Sequence, residues 1–238
     1  SKVYAVVAPA ISSQFYGYTI ENIVAALKKL GFHDVVEAAL GADFVALKEA
    51  EDFVGEIGEK GMMTNSCCPS YVLLVKKHHP EILKNMSETV SPMIAAARLI
   101  RKTDPAAKVV FIGPCIAKKG EAEEFPQDVD FVITFEEVAA VFEAAEISLD
   151  RMEESPLNNA SSGGRIFARS GGLSSAVGYI VKKMDPGVEF RPVCFDGIKE
   201  CEKAFKLHGV GRLDANFIET MVCENGCIGG PASLHHGR

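Results

Sequence analysis

The sequence predicts an α/β fold of two lobes, each with a mainly parallel sheet flanked by helices, that face each other across a cleft. Short apolar runs alternate with segments of helical periodicity along most of the chain. Several runs, such as KVVFIG, are continuously apolar, as expected for strands of a buried parallel sheet. A stretch rich in Ser, Asn and Gly at 154–172 interrupts the pattern. We therefore expect lobes at about 1–153 and 173–238 within one domain.

The first lobe begins with two strand-helix pairs. KVYAVVA predicts a buried strand, and ENIVAALKKLGF predicts a helix that ends at Gly31. HDVVEAA predicts the second strand, and a long helix follows from Asp43 to Lys60. Four apolar side chains are expected near one face of that helix: Phe44, Leu47, Val54 and Ile57.

Cysteines follow two further strands of this lobe. MMTNSCCPSY places a Cys pair before Pro69, which is tolerated in the first turn of a helix, and YVLLVKKHHPEIL continues that helix. PMIAAARLIRK predicts another helix, and KVVFIG predicts a strand that leads directly into Pro114 and Cys115. DVDFVITF and EEVAAVFEAAEI predict the last strand and helix of the lobe.

The second lobe repeats the alternation. LSSAVGYIVKKM and CEKAFKLHG predict helices, and VEFRPVCF and NFIETMVC predict strands, the last of which leads to Cys223 and Cys227. Ligands of open α/β sheets collect at the carboxyl ends of the strands, so we expect the site in the cleft.

Composition argues against several classes of function. The formal charge is -7, whereas a nucleic-acid surface needs clustered Lys and Arg, so no nucleic-acid partner is expected. No apolar run approaches the length of a membrane span, so no membrane partner is expected either. Seven cysteines, an odd number without a regular framework, favour metal or thiol chemistry in the reducing cytoplasm over disulfides.

The cysteines at three predicted strand ends indicate one site. If Cys67/Cys68, Cys115 and Cys223/Cys227 converge, four thiolates can hold a [4Fe–4S] cubane and one thiol is left over. Two alternatives stay open at this point. Free cysteines are often buried as small hydrophobic residues. Thiolates also bind zinc, although zinc ligands usually lie closer together in sequence.

Three motifs resemble those of the catalytic domain of [FeFe]-hydrogenases. That family carries TSCCPxW, MPCxxKxxE and ExMxCxxGCxxGG. This chain has NSCCPSY from Asn65, GPCIAKKGE from Gly113 and ETMVCENGCIGG from Glu219, in the same order, and the resemblance covers nearly the whole chain. It implies two α/β lobes and the reversible interconversion of protons and electrons with dihydrogen. The implied cofactor is an H-cluster, a [4Fe–4S] cubane joined to a two-iron unit with carbon monoxide, cyanide and a bridging dithiolate amine.

The resemblance also implies roles for the five cysteines. Cys68, Cys115 and Cys223 would ligate the cubane, and Cys227 would ligate it and bridge to the two-iron unit. Cys67 matches the family's proton-transfer cysteine. A thiol suits such a relay because its reference pKa of about 8.5 lies close to neutrality.

Three further residues match the family's proton pathway: Glu49, Asp52 and Ser87. On a helix, Glu49 and Asp52 lie on one face, within reach of the same water chain. A solvated helix face is the alternative for both carboxylates, and a helix cap is the alternative for Ser87.

Other matches concern the pocket of the two-iron unit. Lys118 resembles a lysine that donates a hydrogen bond to a cyanide ligand, where its charge would offset that of the cofactor. Pro9 and Met221 match residues that line the two-iron pocket, and Glu121 matches the glutamate that ends the second motif, with its role left open. The alternatives are a surface lysine and plain core residues.

Several positions depart from the best-known members of the family. Asn65, Tyr71, Gly113 and Met93 replace Thr, Trp, Met and a common Gln, and GGPASLHHGR stands in place of GGGQP. These changes surround the two-iron pocket, so they bear on rate, catalytic bias and oxygen sensitivity rather than on the reaction type. Cys194 and Cys201 match no ligand motif and are predicted to be structural. Four histidines are expected at the surface: His78, His79, His235 and His236.

The sequence has no CxxCxxC segment for accessory clusters, so ferredoxin or another external electron carrier, or a further domain, is expected to supply electrons. Maturation proteins would install the two-iron unit, and dihydrogen and protons would be the substrates, in an anaerobic setting. The alternative function is a non-catalytic or sensory hydrogenase-like iron–sulfur protein in cluster assembly or signalling. Retention of Cys67, Glu49 and Ser87 argues against it, because a cluster carrier needs no proton relay.

Overall fold

The computed structural model describes residues 1–157, 159–184 and 186–235, so the prediction for His236 lies outside the described residues. The strands are β1 (Val3–Val7), β2 (Asp34–Glu37), β3 (Met63–Thr64), β4 (Lys108–Gly113), β5 (Phe131–Thr134), β6 (Pro192–Asp196) and β7 (Phe217–Met221). The α-helices are α1 (Ile20–Lys29), α2 (Ala38–Lys60), α3 (Pro69–His78), α4 (Pro92–Thr103), α5 (Ala117–Glu124), α6 (Phe135–Ala144), α7 (Ser162–Arg165), α8 (Gly172–Met184) and α9 (Ile198–Gly209).

The first sheet has four parallel strands in the order β2-β1-β4-β5. In β4 every residue from Val109 to Gly113 is buried, as its continuous apolar sequence predicts. Helices α4 and α6 pack against this sheet. The carboxyl ends of its central strands, at Val7 and Gly113, therefore lie side by side at one edge.

The second sheet is also parallel and has the order β3-β7-β6. Its first strand comes from the part of the chain that precedes residue 153, so the predicted limits of 1–153 and 173–238 do not coincide with the two sheets. Strand β3 is only two residues long, and so short a strand leaves no periodic pattern in the sequence. Pairing of β3 with β7 brings the carboxyl ends of these two strands to the same edge.

Helix α2 connects the two sheets, and only part of its predicted apolar face is in the core: Ile57 is buried and Val54 packs against it. It begins at Ala38, earlier than expected, and the side chains of Phe44 and Leu47 are about half exposed, at 49% and 45%. The buried face consists largely of Ala and Gly. A Cβ at Gly41 would lie 2.1 Å from the carbonyl oxygen of Pro92, so α2 and α4 approach too closely for larger side chains. Close packing therefore overrides the apolar pattern.

The Ser/Gly-rich stretch at 154–172 is more ordered than a loop. It contains α7 and a 3-10 turn at Ile166–Ala168, and α7 packs against α2. Gly164 permits this contact, since a Cβ there would lie 2.1 Å from the carbonyl oxygen of Ala39. The predicted continuation of α3 is a separate 3-10 helix, Pro80–Asn85, and α5 is an element that the sequence pattern did not predict.

The α/β class with parallel sheets flanked by helices is confirmed. Two large apolar cores support it, one around the first sheet and one between α2, α8 and the second sheet. None of the described helices has the length and apolar character needed to span a bilayer.

Candidate functional site

One cavity lies where the carboxyl edges of the two sheets meet. It encloses about 900 Å³ of space free of protein atoms, including its opening to solvent. All the cysteines of the three motifs line it: Cys67, Cys68, Cys115, Cys223 and Cys227. Cys194 and Cys201 do not line the cavity. The expectation that three strand ends bring their thiols together is thus met by the geometry.

Local backbone features fix where these cysteines lie. Pro69 is the first residue of α3, and Cys68 immediately precedes it. In the third motif, Asn225 and Gly226 both have positive φ angles, 64° and 79°, which turn the chain between Cys223 and Cys227. A Cβ at Gly226 would lie 2.7 Å from the carbonyl oxygen of Ala168, so only glycine fits there.

The second and third motifs pack directly against each other. A Cβ at Gly230 would lie 2.5 Å from the carbonyl oxygen of Pro114, and that oxygen accepts a hydrogen bond from the amide of Ala232. Cys115 and Cys227 are therefore held by two segments in contact, although they are far apart in sequence.

Cys223 and Cys227 are in an environment that disfavours the free thiolate. Burial raises the pKa of Cys227 to about 12 and that of Cys223 to about 11. A bound metal reverses this preference, because coordination deprotonates a thiol. Among the described residues, no group of three or more metal-binding side chains is arranged to hold a single ion. Five thiols on one cavity wall offer the donor set that a [4Fe–4S] cluster needs, and the geometry leaves the zinc alternative open.

Lys118 places a positive charge beside these thiols. Its side chain is almost fully buried at the cavity wall, and its Nζ lies 3.4 Å from the carbonyl oxygen of Cys67. Burial opposes the charge, but Glu121, whose carboxylate lies 2.6 Å away, and the nearby cysteines raise the pKa of Lys118 overall. Lys118 is thus no surface lysine, and the structure gives Glu121 the role of its counter-ion.

Glu49 is the most unusual side chain near the cavity. It is fully buried on α2, and neither carboxylate oxygen has a hydrogen-bond partner within the described part of the chain. Burial raises its pKa from 4.5 to about 8, while the nearby Ser87 side chain opposes the shift. Burial, followed by the proximity of Glu49, also raises the pKa of Cys67 well above its ordinary value. These two groups hold protons at neutral pH.

Asp52 and Ser87 both lie near Glu49. The Asp52 side chain is 16% exposed, forms an ion pair with Lys48, and accepts a hydrogen bond of 3.2 Å from the Thr89 hydroxyl. Ser87 is buried, and its oxygen accepts a hydrogen bond of 3.1 Å from the Thr89 amide. The helix-face alternative does not describe Glu49, and Ser87 does not cap α4, since Ser91 precedes that helix.

The remaining predicted residues line the cavity as well. Pro9, Met93 and Met221 all contribute to its wall, together with Asn65. The side-chain nitrogen of Asn65 donates a hydrogen bond of 3.2 Å to the carbonyl oxygen of Thr220, and its side-chain oxygen accepts one of 2.8 Å from the Thr220 amide. These two bonds join the first motif to β7.

The other two departures from the family's motifs also have a local explanation. Gly113 lies under the ring of Phe111, where a Cβ would be 2.5 Å from a ring carbon, so Phe111 fills the space beside the cavity. Tyr71 is fully buried, with its hydroxyl 2.9 Å from that of Thr64.

Sequence reasoning missed the structural role of Glu219. Its buried carboxylate accepts hydrogen bonds from the amides of Gly171 (2.9 Å) and Ser174 (2.7 Å), at the start of α8. A charged residue inside the apolar run NFIETMVC was the available signal. Both remaining cysteines lie outside the cavity: Cys201 is buried and contacts the carbonyl oxygen of Met221, as expected of a structural thiol, whereas Cys194 is exposed and lies 3.7 Å from this carboxylate.

Two of the histidines follow their prediction and one departs from it. His78 and His235 are exposed. His79 is partly buried, with its ring 4.8 Å from that of Phe205.

The fold and the cavity define an α/β protein in which five cysteines line one cavity between two parallel sheets. The model of the iron-only hydrogenase large subunit, C-terminal domain, matches residues 1–231, and the chain belongs to this family. A structure of an [FeFe]-hydrogenase from Chlamydomonas reinhardtii, in a variant form, superimposes with a TM-score of 0.81 at 19% identity, covering 99% of this chain and 80% of that one.

Curated relatives of two kinds are similar to the chain. Iron hydrogenase 1 from Clostridium pasteurianum is 29% identical over 90% of this chain and 45% of its own length. The cytosolic Fe-S cluster assembly factor narfl from Danio rerio is 24% identical over 87% of this chain and 64% of its own length. The chain thus spans less than half the length of Iron hydrogenase 1, and both hydrogenases and assembly factors are among its relatives.

The buried Glu49 predicts a specific dependence of stability on pH. Its carboxyl titrates near 4.5 when unfolded and at about 8 when folded, so the unfolded chain releases this proton first and the folded state loses stability as pH rises through that window. At about 1.4 kcal/mol per pH unit, the loss reaches up to about 5 kcal/mol. The substitution Glu49→Gln removes this pH-dependent loss of stability. We expect the variant to match the native chain near pH 4.5 and to be more stable above pH 8.

Urea unfolding of the reduced, metal-free protein at several pH values checks this expectation. Glu51→Gln, an exposed neighbour on the same helix, serves as the control and should follow the native curve. Parallel stability curves for Glu49→Gln and the native chain would show that Glu49 has no raised pKa.

Proposed function

We propose that this chain is the catalytic domain of an [FeFe]-hydrogenase, which interconverts protons and electrons with dihydrogen. One observation carries the proposal: the cavity offers a fifth thiol, Cys67, in addition to four possible ligands, and the buried carboxyl of Glu49 lies close to it. A site that only carries a cluster needs the ligands alone. A buried carboxyl without partners costs stability, and a functional site is where such a cost is expected.

The donor set suits an H-cluster. Four cysteines would hold the cubane: Cys68, Cys115, Cys223 and Cys227. The Cys227 sulfur would also bridge to the two-iron unit, and Pro9 and Met221 would cover that unit. Lys118 would donate a hydrogen bond to a cyanide ligand and offset its negative charge. When bound, this cofactor supplies the iron site at which dihydrogen is formed or cleaved.

The protein's own contribution is proton transfer and exclusion of water. Cys67 would hold the proton nearest the cofactor and regain one from Glu49, whose raised pKa keeps it protonated near neutral pH. Ser87 and Asp52 would reload Glu49 from solvent. The apolar wall, which includes Phe111, keeps other water from the site.

The alternative is a hydrogenase-like iron–sulfur protein that acts in cluster assembly or signalling, as the names of some relatives suggest for those proteins. Such a protein would keep the four ligands but would have no use for the Cys67–Glu49 pair. For the hydrogenase, we propose a cytoplasmic, anaerobic setting, maturation proteins that install the two-iron unit, and no membrane or nucleic-acid partner.

The first test replaces the relay thiol. We expect Cys67→Ala, reconstituted with the cubane and a synthetic two-iron cofactor, to keep the infrared bands of carbon monoxide and cyanide. Hydrogen evolution from a reduced dye should fall at least about a hundredfold, because positioned proton transfer contributes that much to catalysis. Cys194→Ala, which lies outside the cavity, should keep full activity.

Two results would contradict the proposal in different ways. A normal cubane with neither infrared bands nor gas from the native chain would favour the assembly or sensory protein. Undiminished gas from Cys67→Ala would leave hydrogenase activity in place but remove Cys67 from it.

Electrons would enter through a groove on α3 and α9. Val222, the neighbour of Cys223, lines this groove, and Ser70 lines both the groove and the cavity. The exposed side chains of Leu73 and Ile198 make it apolar, and Lys77 adds a positive charge. None of the described residues lining the groove is acidic, although the whole chain has a net charge of -7. We infer that an acidic iron–sulfur electron carrier of the ferredoxin type docks here.

Reversal of the groove's charge tests this docking site. We expect Lys77→Glu to raise the KM for reduced ferredoxin by about fivefold at low salt, and the difference should shrink at high salt. Lys29→Glu, on α1, makes the same change in net charge at another surface and should leave the KM unchanged. Equal KM values for the two variants would exclude this surface as the entry point.

A further inference from the structure

Strand β3 is too short to hold the first cysteine motif against β7 by main-chain pairing alone. The last pair of the ladder joins Thr64 to Ile218, yet β7 continues to Met221. After Thr64 the main chain leaves the sheet and leads into the cavity wall at Cys67 and Cys68. A different interaction has to hold this segment against the rest of β7.

The side chain of Asn65 supplies that interaction. Its Nδ2 donates to the carbonyl oxygen of Thr220 at 3.2 Å, and its Oδ1 accepts from the Thr220 amide at 2.8 Å. The Thr220 hydroxyl donates to the same Oδ1 at 3.3 Å, and both residues are buried. A carboxamide carries a carbonyl and N–H donors, as a peptide unit does. It therefore pairs with the edge of β7 as a further residue of a parallel ladder would.

A second side-chain contact reinforces the same junction. The Thr64 hydroxyl donates to the carbonyl oxygen of Ile218 at 2.7 Å and lies 2.9 Å from the hydroxyl of Tyr71. Because a hydroxyl has a single proton, Tyr71 is the donor in this second bond. Burial raises the pKa of Tyr71 to about 12, so the phenol keeps that proton. Two departures from the family's first motif, Asn65 and Tyr71, thus both act where this motif meets β7.

Thr220 connects the junction to the third motif. Asn65 precedes Cys68 by three residues, and Thr220 precedes Cys223 by three. Burial raises the pKa of Cys223 to about 11, and the nearby Cys68 and Cys115 add to the shift, so these thiols are neighbours. The contact between Asn65 and Thr220 therefore lies at the base of both segments that carry these thiols into the cavity.

We propose that Asn65 is a positioning residue, whose carboxamide extends the pairing of β3 with β7 by one rung and so sets the Cys68 thiol beside Cys223 for ligation of one cluster. The inference rests on the proposed function, in which both cysteines ligate the cubane. Asn65 acts through these two ligands. Without its carboxamide, the buried amide and carbonyl of Thr220 lose these partners, and the two motifs lose the contact that holds them together.

Asn85 provides a matched control at the other end of β3. It is also a buried asparagine, and its Nδ2 donates to the carbonyl oxygens of Lys60 and Met62, at 3.3 and 2.8 Å. Asn85→Leu therefore removes side-chain hydrogen bonds to the main chain, as Asn65→Leu does. None of the three residues in this control contact lines the cavity.

The deciding measurements use protein reconstituted with the cubane alone. They are the rate of iron loss to an excess of chelator and the electron paramagnetic resonance signal of the reduced cluster. We expect Asn65→Leu to lose iron at least about tenfold faster than the native chain, because residues that orient metal ligands contribute that much to metal binding. Its signal should also differ from the native one, since the ligands are no longer held in the native geometry.

Two further variants complete the comparison. Asn65→Asp keeps the acceptor for the Thr220 amide and lacks the donor for the Thr220 carbonyl oxygen, so its rate of iron loss should lie between those of Asn65→Leu and the native chain. If Asn65→Leu does not fold, Asn65→Asp decides by a rate above the native one. Asn85→Leu should lower the stability to urea but keep the native signal and the native rate of iron loss.

The outcomes separate this inference from the proposed function. Native rates and signals in the Asn65 variants overturn the role of Asn65, whether or not the protein makes hydrogen. Equal acceleration in Asn65→Leu and Asn85→Leu also overturns it, because loss of stability would then explain both. A normal cubane without hydrogen evolution from the fully loaded native chain overturns the proposed function and leaves the rates of iron loss to decide on Asn65. A native chain that takes up no cubane overturns both.

Discussion

The site depends on one property of parallel sheets, which is that all their strands end at the same edge. Two such edges face each other in this protein, and the chain emerges from β3, β4 and β7 into the space between them. Pairing of β3 with β7 sets the Cys67/Cys68 pair beside the third motif, and the contact of Gly230 with Pro114 adds Cys115 from the other sheet. The cavity is therefore a result of topology, and the cysteines only need to follow the strands.

Electrostatics then divide the site into two parts. Around the cavity wall, the Lys118 ammonium with its counter-ion Glu121 lies beside Cys227, whose pKa is raised by burial, and an iron–sulfur core would bind that thiol as a thiolate. Near Cys67, Glu49 is buried, has no hydrogen-bond partner among the described residues, and is expected to reduce stability at neutral pH. A residue that lowers the stability of the fold in this way is expected where that residue serves the function of the protein.

The sequence was sufficient to predict the strands, the α/β class and the convergence of the five cysteines, because these follow from apolar runs and from the common edge of parallel strands. It did not predict that β3 belongs to the second sheet, since two residues carry no pattern. It misplaced part of the buried face of α2, because Gly41 packs closely against α4 while Phe44 and Leu47 are about half exposed. The structural role of Glu219 was missed because it lies in hydrogen bonds from the amides of Gly171 and Ser174, which no spacing reveals.

The central claim is that four of the seven cysteines hold one cluster. Anaerobic reconstitution of single alanine variants, followed by iron analysis and electron paramagnetic resonance of the reduced protein, tests it most directly. Cys201→Ala and Cys67→Ala should keep four irons per chain and the native signal. Loss of the bound iron and of the native signal is expected for each of four variants: Cys68→Ala, Cys115→Ala, Cys223→Ala and Cys227→Ala. A native cluster that survives any two of these four substitutions singly would contradict the account.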